Sequence, residues 1–172
     1  ALTLPQGFRG EGIAIFGELG FFWGAQTGGG EAYVYTWDRS SINYISKYPV
    51  GDTEVLCAFV TNTVYIVTKK GVIKQFTGSG FEPIQLGNGT FVQFPTAEAQ
   101  QQITAIHPNG VSVTENIVKM FVNFGAISNT RLVSGFWIFD TITKNLYHSG
   151  SVRNTSTKDY NQGELPEVGA LK

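Results

Sequence analysis

Apolar and polar residues alternate along this chain in short runs, and glycine, asparagine or lysine bounds nearly every run. Period-two alternation over roughly four to eight residues is the pattern of a half-buried strand. The runs fall into three groups. The first holds Gly12 to Phe16, Phe21 to Ala25, Glu31 to Trp37 and Tyr44 to Tyr48, with turns at Gly17–Gly20 and Gly28–Gly30 and a stop at Pro49. The second holds Glu54 to Val60, Thr63 to Thr68, Val72 to Thr77 and Phe81 to Leu86. The third holds Gly110 to Thr114, Ile117 to Asn123, Gly135 to Phe139 and Leu146 to Ser149, with Gly125 to Ser134 inserted. The pattern therefore predicts four antiparallel strands in each of three units, at 12–49, 54–87 and 110–150. Between the second and third units it predicts one further strand, Ile103 to Ile106, and a short helical turn at Thr96 to Gln102. Val168 begins a run that would open a fourth unit.

Two turns repeat almost position for position. Trp37-Asp38-Arg39-Ser40-Ser41-Ile42-Asn43-Tyr44-Ile45 and Phe139-Asp140-Thr141-Ile142-Thr143-Lys144-Asn145-Leu146-Tyr147 both read aromatic-Asp-x-x-Ser/Thr-x-Asn and then two apolar residues. An Asp opening a tight turn accepts hydrogen bonds from amides just ahead of it, and a later Asn tolerates a left-handed backbone. Asp38, Ser41 and Asn43, and likewise Asp140, Thr143 and Asn145, are thus expected to form equivalent structural turns.

A repeated four-stranded meander of about 40 to 50 residues is the unit of a β-propeller. The predicted fold is all-β, with about three propeller-like blades and the start of a fourth; a β-sandwich or jelly roll is the alternative, since it too joins many short strands by frequent turns. Residues 1–172 read as a single β-repeat domain. The sequence begins at Ala1 and its only methionine is Met120, so it is expected to belong to a longer polypeptide or assembly. Three blades would leave two flanks open, with apolar faces at Phe22, Tyr65 and Val118 expected to lie bare.

Composition narrows the function classes. Glycine (21) and aromatic residues (13 Phe, 7 Tyr, 3 Trp) are plentiful, which suits short strands and tight turns. A net charge of -1 gives no bulk attraction to nucleic acid. No apolar run approaches the roughly 20 residues that span a bilayer as a helix. The lone Cys57, in Val55-Leu56-Cys57-Ala58-Phe59-Val60, forms no internal disulfide and reads as a small buried hydrophobe.

The phrases from Thr63-Val64-Tyr65-Ile66-Val67-Thr68-Lys69-Lys70-Gly71 through Phe81, and Ser134-Gly135-Phe136-Trp137-Ile138-Phe139-Asp140, resemble the degenerate propeller repeats of tailed-bacteriophage and other viral virion proteins, such as tail, nozzle and adaptor components. The resemblance runs from about Gly12 to Leu171 and consists of strand and turn phrasing. It brings no catalytic motif. The Trp-Asp pair of WD40 blades occurs once, at Trp37-Asp38, and neither histidine matches that family's Gly-His, which argues against WD40 proper. The resemblance implies a structural module of a virion, with other virion subunits or copies of itself as partners.

No residue pattern competes with that expectation as an active site. His107 and His148 lack a second ligand at metal spacing. Gly-x-Ser-x-Gly is absent, and Gly78-Ser79-Gly80 reads as a tight hairpin. Gly28-Gly29-Gly30 lacks the Lys-Ser/Thr of a phosphate loop. Glu18, Glu54 and Glu115 fall near the first turn of each unit and read as solvated. Calcium held by Asp38, Ser41 and Asn43 would have a single carboxylate. No enzyme activity, cofactor, metal, nucleic acid or membrane insertion is expected. The alternative to a scaffold is a carbohydrate-binding module, for which Trp23, Tyr35 and Trp37 are the candidate stacking residues; a glycoside-active propeller enzyme ranks third. Asn88-Gly89-Thr90 and Asn154-Thr155-Ser156 match the N-glycosylation pattern.

Overall fold

The computed structural model describes residues 2–95, 103–124 and 134–151. They contain no helix; twelve strands form three four-stranded antiparallel sheets, none of them closed. The first is β1 (Phe8–Phe16), β2 (Leu19–Gln26), β3 (Tyr33–Trp37) and β4 (Ser46–Pro49). The second is β5 (Val55–Val60), β6 (Val64–Thr68), β7 (Ile73–Phe76) and β8 (Phe81–Pro83). The third is β9 (Ile103–Thr114), β10 (Ile117–Phe124), β11 (Gly135–Asp140) and β12 (Leu146–Ser151). In each sheet the strands lie in sequence order, so every sheet is a simple meander. No sheet borrows a strand from another segment, the exchange that a Greek-key jelly roll requires. The expected helical turn at Thr96 to Gln102, most of the insertion and the run at Val168 lie outside the described residues.

The chain has two compact units, Ala1–Gln93 and Phe94–Lys172. In the first unit, two sheets press face to face. Phe21, Trp23 and Val34 of the first sheet share one core with Val55, Val64, Ile66 and Phe81 of the second. Phe21 meets Phe76 edge-on, with ring centres 5.0 Å apart, and Tyr48 meets Phe76 at 5.5 Å. Each side chain fully buried here contributes about 1.5–3 kcal/mol. On the opposite face of the first sheet Phe22 and Tyr35 stack at 5.2 Å beneath Phe8 and Tyr44, while Ile13 and Ile15 on β1 stay exposed. The opposite face of the second sheet is buried as well, since β6 is buried at all five positions. This explains why Val64-Tyr65-Ile66-Val67 is an unbroken apolar run.

Among the described residues the second unit has one sheet, with a single buried face. Along β10, buried Val118, Met120, Val122 and Phe124 alternate with half-buried or exposed Ile117, Lys119, Phe121 and Asn123. The buried row continues across β11 as Trp137 and Phe139, and Phe94 packs on Trp137 at 5.1 Å.

Three expectations need correction. Phe22, Tyr65 and Val118 are buried, at 6%, 0% and 0% exposure; the Phe8 and Tyr35 rings lie against Phe22, and the Phe59 ring stacks on Tyr65 at 5.3 Å. The predicted strand at Ile103 to Ile106 is not separate: it joins Gly110 to Thr114 as one strand, β9, and the third sheet begins at Ile103. Ile106 pairs with Val122 and Val111 with Met120, so His107 to Gly110 bulge opposite Phe121. Pro108 has no N–H to offer a ladder, which suits a bulge. Finally, β4 starts at Ser46, not Tyr44, because the Tyr44 ring swings onto Tyr35 at 4.8 Å.

The link between the first two sheets is tied by buried polar groups. Asp52 is 7% exposed; its carboxylate accepts the amides of Thr53 and Lys70, both at 2.7 Å, and its carbonyl accepts the Ala32 amide at 2.8 Å. Glu31 accepts the Gly51 amide at 2.8 Å, and Lys74 Nζ donates to the Val50 carbonyl at 2.5 Å. Burial lowers the pKa of that ammonium despite the opposing pull of Asp52. Asp52→Ala removes the buried carboxylate that accepts the Thr53 and Lys70 amides and is expected to cost about 2 kcal/mol, read as a lower urea midpoint with unchanged slope. Tyr35 should behave oppositely. Its hydroxyl is buried without a partner, so Tyr35→Phe is expected to raise stability by about 1 kcal/mol in the same assay.

Candidate functional site

The two aspartate turns share their hydrogen bonds. Asp38 Oδ1 accepts the amides of Ser40 (2.9 Å) and Ser41 (2.8 Å); Asp140 Oδ1 accepts those of Ile142 (2.8 Å) and Thr143 (3.2 Å). The Ser41 hydroxyl lies between Asp38 Oδ1 (2.9 Å) and the Asn43 carbonyl (2.8 Å) and shares one proton between them. These bonds hold both carboxyls down at a pKa of about 2: in Asp38 chiefly the backbone amide of Ser41, in Asp140 chiefly the side-chain amide of Asn116.

The closures differ. The left-handed residues are Arg39 (φ 66°) and Lys144 (φ 61°), neither of them the expected Asn43 or Asn145. In the second turn the Lys144 amide donates to the Asp140 carbonyl and the Asp140 amide to that of Asn145, so the reversal completes one residue before the asparagine. In the first, the Trp37 indole donates to the Ser41 carbonyl at 2.7 Å and the ladder resumes only at Ile45.

A device that the sequence pattern missed ties the first and third hairpin turns of every sheet. Arg39 donates to the Glu18 carbonyl (3.2 Å) and carboxylate (3.0 Å). Thr63 Oγ1 donates to the Phe76 carbonyl at 3.0 Å. Asn116 Nδ2 donates to Asp140 Oδ1 at 2.9 Å, while the Thr141 amide donates back to the Asn116 carbonyl. The three ties use unlike chemistry, so no shared sequence motif announces them.

The three candidate stacking residues do not form a platform. Trp23 (8% exposed) and Tyr35 (0%) are buried and present no ring face to a ligand. The Trp23 ring lies over Gly12, where a Cβ would meet it at 2.1 Å. Trp37 is half-buried and its indole nitrogen is engaged. Among the described residues no group of three or more His, Cys, Asp and Glu is placed to hold a metal ion.

What the fold does display is apolar. On the outward face of the first sheet, Ile13 sits beside Phe22 and Phe22 beside Tyr35; Ile13 and Ile15 are 59% and 47% exposed. Lys47 borders this face with Nζ 3.8 Å over the Tyr33 ring. Ile42 and Ile142 project from the two aspartate turns at 63% and 74% exposure. This arrangement is suited to contact with another apolar surface.

No known family model, curated protein or solved structure matches the sequence. The virion-propeller resemblance is therefore carried by strand and turn phrasing alone.

The low pKa values fix a pH dependence. A carboxyl whose pKa is depressed by folding stabilises the fold fully above its ordinary value of 3.8, and that stabilisation is lost as pH falls toward about 2. The wild-type melting midpoint is expected to fall over this window more steeply than that of the Asp38→Ala/Asp140→Ala variant, whose midpoint at neutral pH starts lower. Parallel melting curves against pH would remove the turns from the stability account.

Proposed function

We propose that this protein is a structural, non-catalytic interaction module of propeller-like blades, which presents a rigid β surface to a neighbouring subunit or a second copy. The observation that carries this reading is the outward face of the first sheet, where exposed Ile13 and Ile15 adjoin a packed aromatic row. A surface backed by interlocked rings offers apolar area without loss of side-chain order on binding.

Strand lengths support the blade reading. The fourth strands of the first two sheets are short, four and three residues, and end in Pro49 and Pro83. The first strands of the three sheets run nine, six and twelve residues. Short, proline-tipped edges are how repeated sheets protect their rims. A viral particle is the setting proposed for the module, on the strength of the repeat phrasing.

Sedimentation velocity tests the reading. The purified protein is expected to associate as its concentration rises, and Ile13→Asp/Ile15→Asp to shift it toward monomer with an unchanged thermal melt. A concentration-independent monomer with a single cooperative melt would sink the open-face reading.

A further inference from the structure

Two Asn-Gly pairs occur in the sequence, Asn88-Gly89 and Asn109-Gly110, and the fold treats them differently. In such a pair the glycine nitrogen can attack the asparagine Cγ. A new bond from that nitrogen to Cγ closes a succinimide, the Cγ–Nδ2 bond breaks, and the amide leaves as ammonia with the proton the glycine nitrogen gave up. Water then opens the ring to aspartate or isoaspartate; no oxidant or cofactor takes part. The step needs a backbone free to bend into the ring and a polarised Cγ=Oδ1 bond.

Asn88 meets both needs. It sits at the exposed tip of the hairpin closed by the Gln85–Phe91 bridge, between Gly87 and Gly89. Gly89 is left-handed (φ 83°), and the nearest atom to a Cβ placed on it would be Gln85 Nε2, at 3.9 Å. Asn88 Oδ1 accepts two donors from one residue, the Thr90 hydroxyl at 2.6 Å and the Thr90 amide at 3.1 Å. Paired donors on a carbonyl oxygen stabilise the negative charge that builds there during attack, as an oxyanion hole does. The Gly89 amide donates to the Leu86 carbonyl at 2.8 Å, a single bond at an exposed tip that opens readily.

Asn109 is placed otherwise. It lies in the β9 bulge, where a Cβ on Gly110 would meet Phe121 at 2.8 Å and the His107 carbonyl at 3.2 Å. Neighbours thus hold the glycine where the ring would have to form.

We propose that Asn88 is a spontaneous deamidation site of the folded protein, activated by Thr90, and that Asn109, though exposed, is held back by the crowded backbone of its bulge. Conversion places a carboxylate at the tip, and the isoaspartate product adds a backbone atom to a hairpin that pairs with β7. The Ile84 amide donates to the Ile73 carbonyl and the Ile73 amide to that of Val92, so a distorted tip disturbs the edge of the second sheet.

The test is incubation of the folded protein at mildly alkaline pH, followed by digestion and mass spectrometry of the peptides carrying each asparagine. The Asn88 peptide is expected to convert several-fold faster than the Asn109 peptide, and the two rates to converge when the protein is unfolded in urea. Thr90→Ala, checked for an intact melt, should slow Asn88 several-fold and leave Asn109 unchanged. Equal folded-state rates, or faster conversion of Asn109, would overturn the site assignment. An Asn88 rate unchanged or raised in Thr90→Ala would overturn the activation.

Discussion

The first unit rests on one constraint: two twisted sheets must be held face to face while the backbone passes between them through only a few residues. Sheet packing is non-directional and tolerates sliding. The connection from Pro49 to Val55 removes that freedom, since Asp52 grips amides on both sides of it and Glu31 and Lys74 fix its neighbours. A buried carboxylate is costly unless its oxygens are matched, and here each one accepts a backbone donor. Register between the sheets is thereby set by polar atoms, and the apolar core then fills to fit.

The turn ties do the same within each sheet. A four-stranded meander shears easily at its ends, where the ladder stops. Bridging the first and third turns makes each sheet a braced panel at that end. That Arg39–Glu18, Thr63–Phe76 and Asn116–Asp140 achieve this with an ion pair, a hydroxyl and an amide shows that the position of the brace matters more than its chemistry. The Arg39–Glu18 pair is well exposed, so its worth lies in the carbonyl contact more than in charge.

Much of this was legible in the sequence, and for identifiable reasons. Strand number and order followed from alternation and turn residues, because backbone pairing obeys local rules. The contrast between the continuous run of β6 and the alternation of β10 also carried the difference between sheets buried on two faces and on one. The aspartate turns were readable because Asp binds amides within three residues of itself. That most of the first unit's aromatic cluster is core followed from its alternation; that Phe8 and Tyr44 are the rings that cover Tyr35 did not, since they reach it from other segments. The β9 bulge was hidden because His-Pro-Asn-Gly is equally good as a turn; only pairing with β10 decides between the two. Exposed Ile13 and Ile15 look, in sequence, like any inward-facing strand residues.

The unequal edges of the first two sheets have a consequence for assembly. A partner strand that adds to β4 or β8 finds a few residues of ladder and then a proline with no hydrogen to give. One that adds to β1 finds a longer ladder. The first sheet thus has one adhesive margin and one inert margin. If two copies met through β1, each would consume the other's longer edge, and the joined first sheets would present only the short, proline-ended rims of β4. Growth by strand addition through the first sheet would stop at two, and that sheet would gain a partner without seeding a fibre.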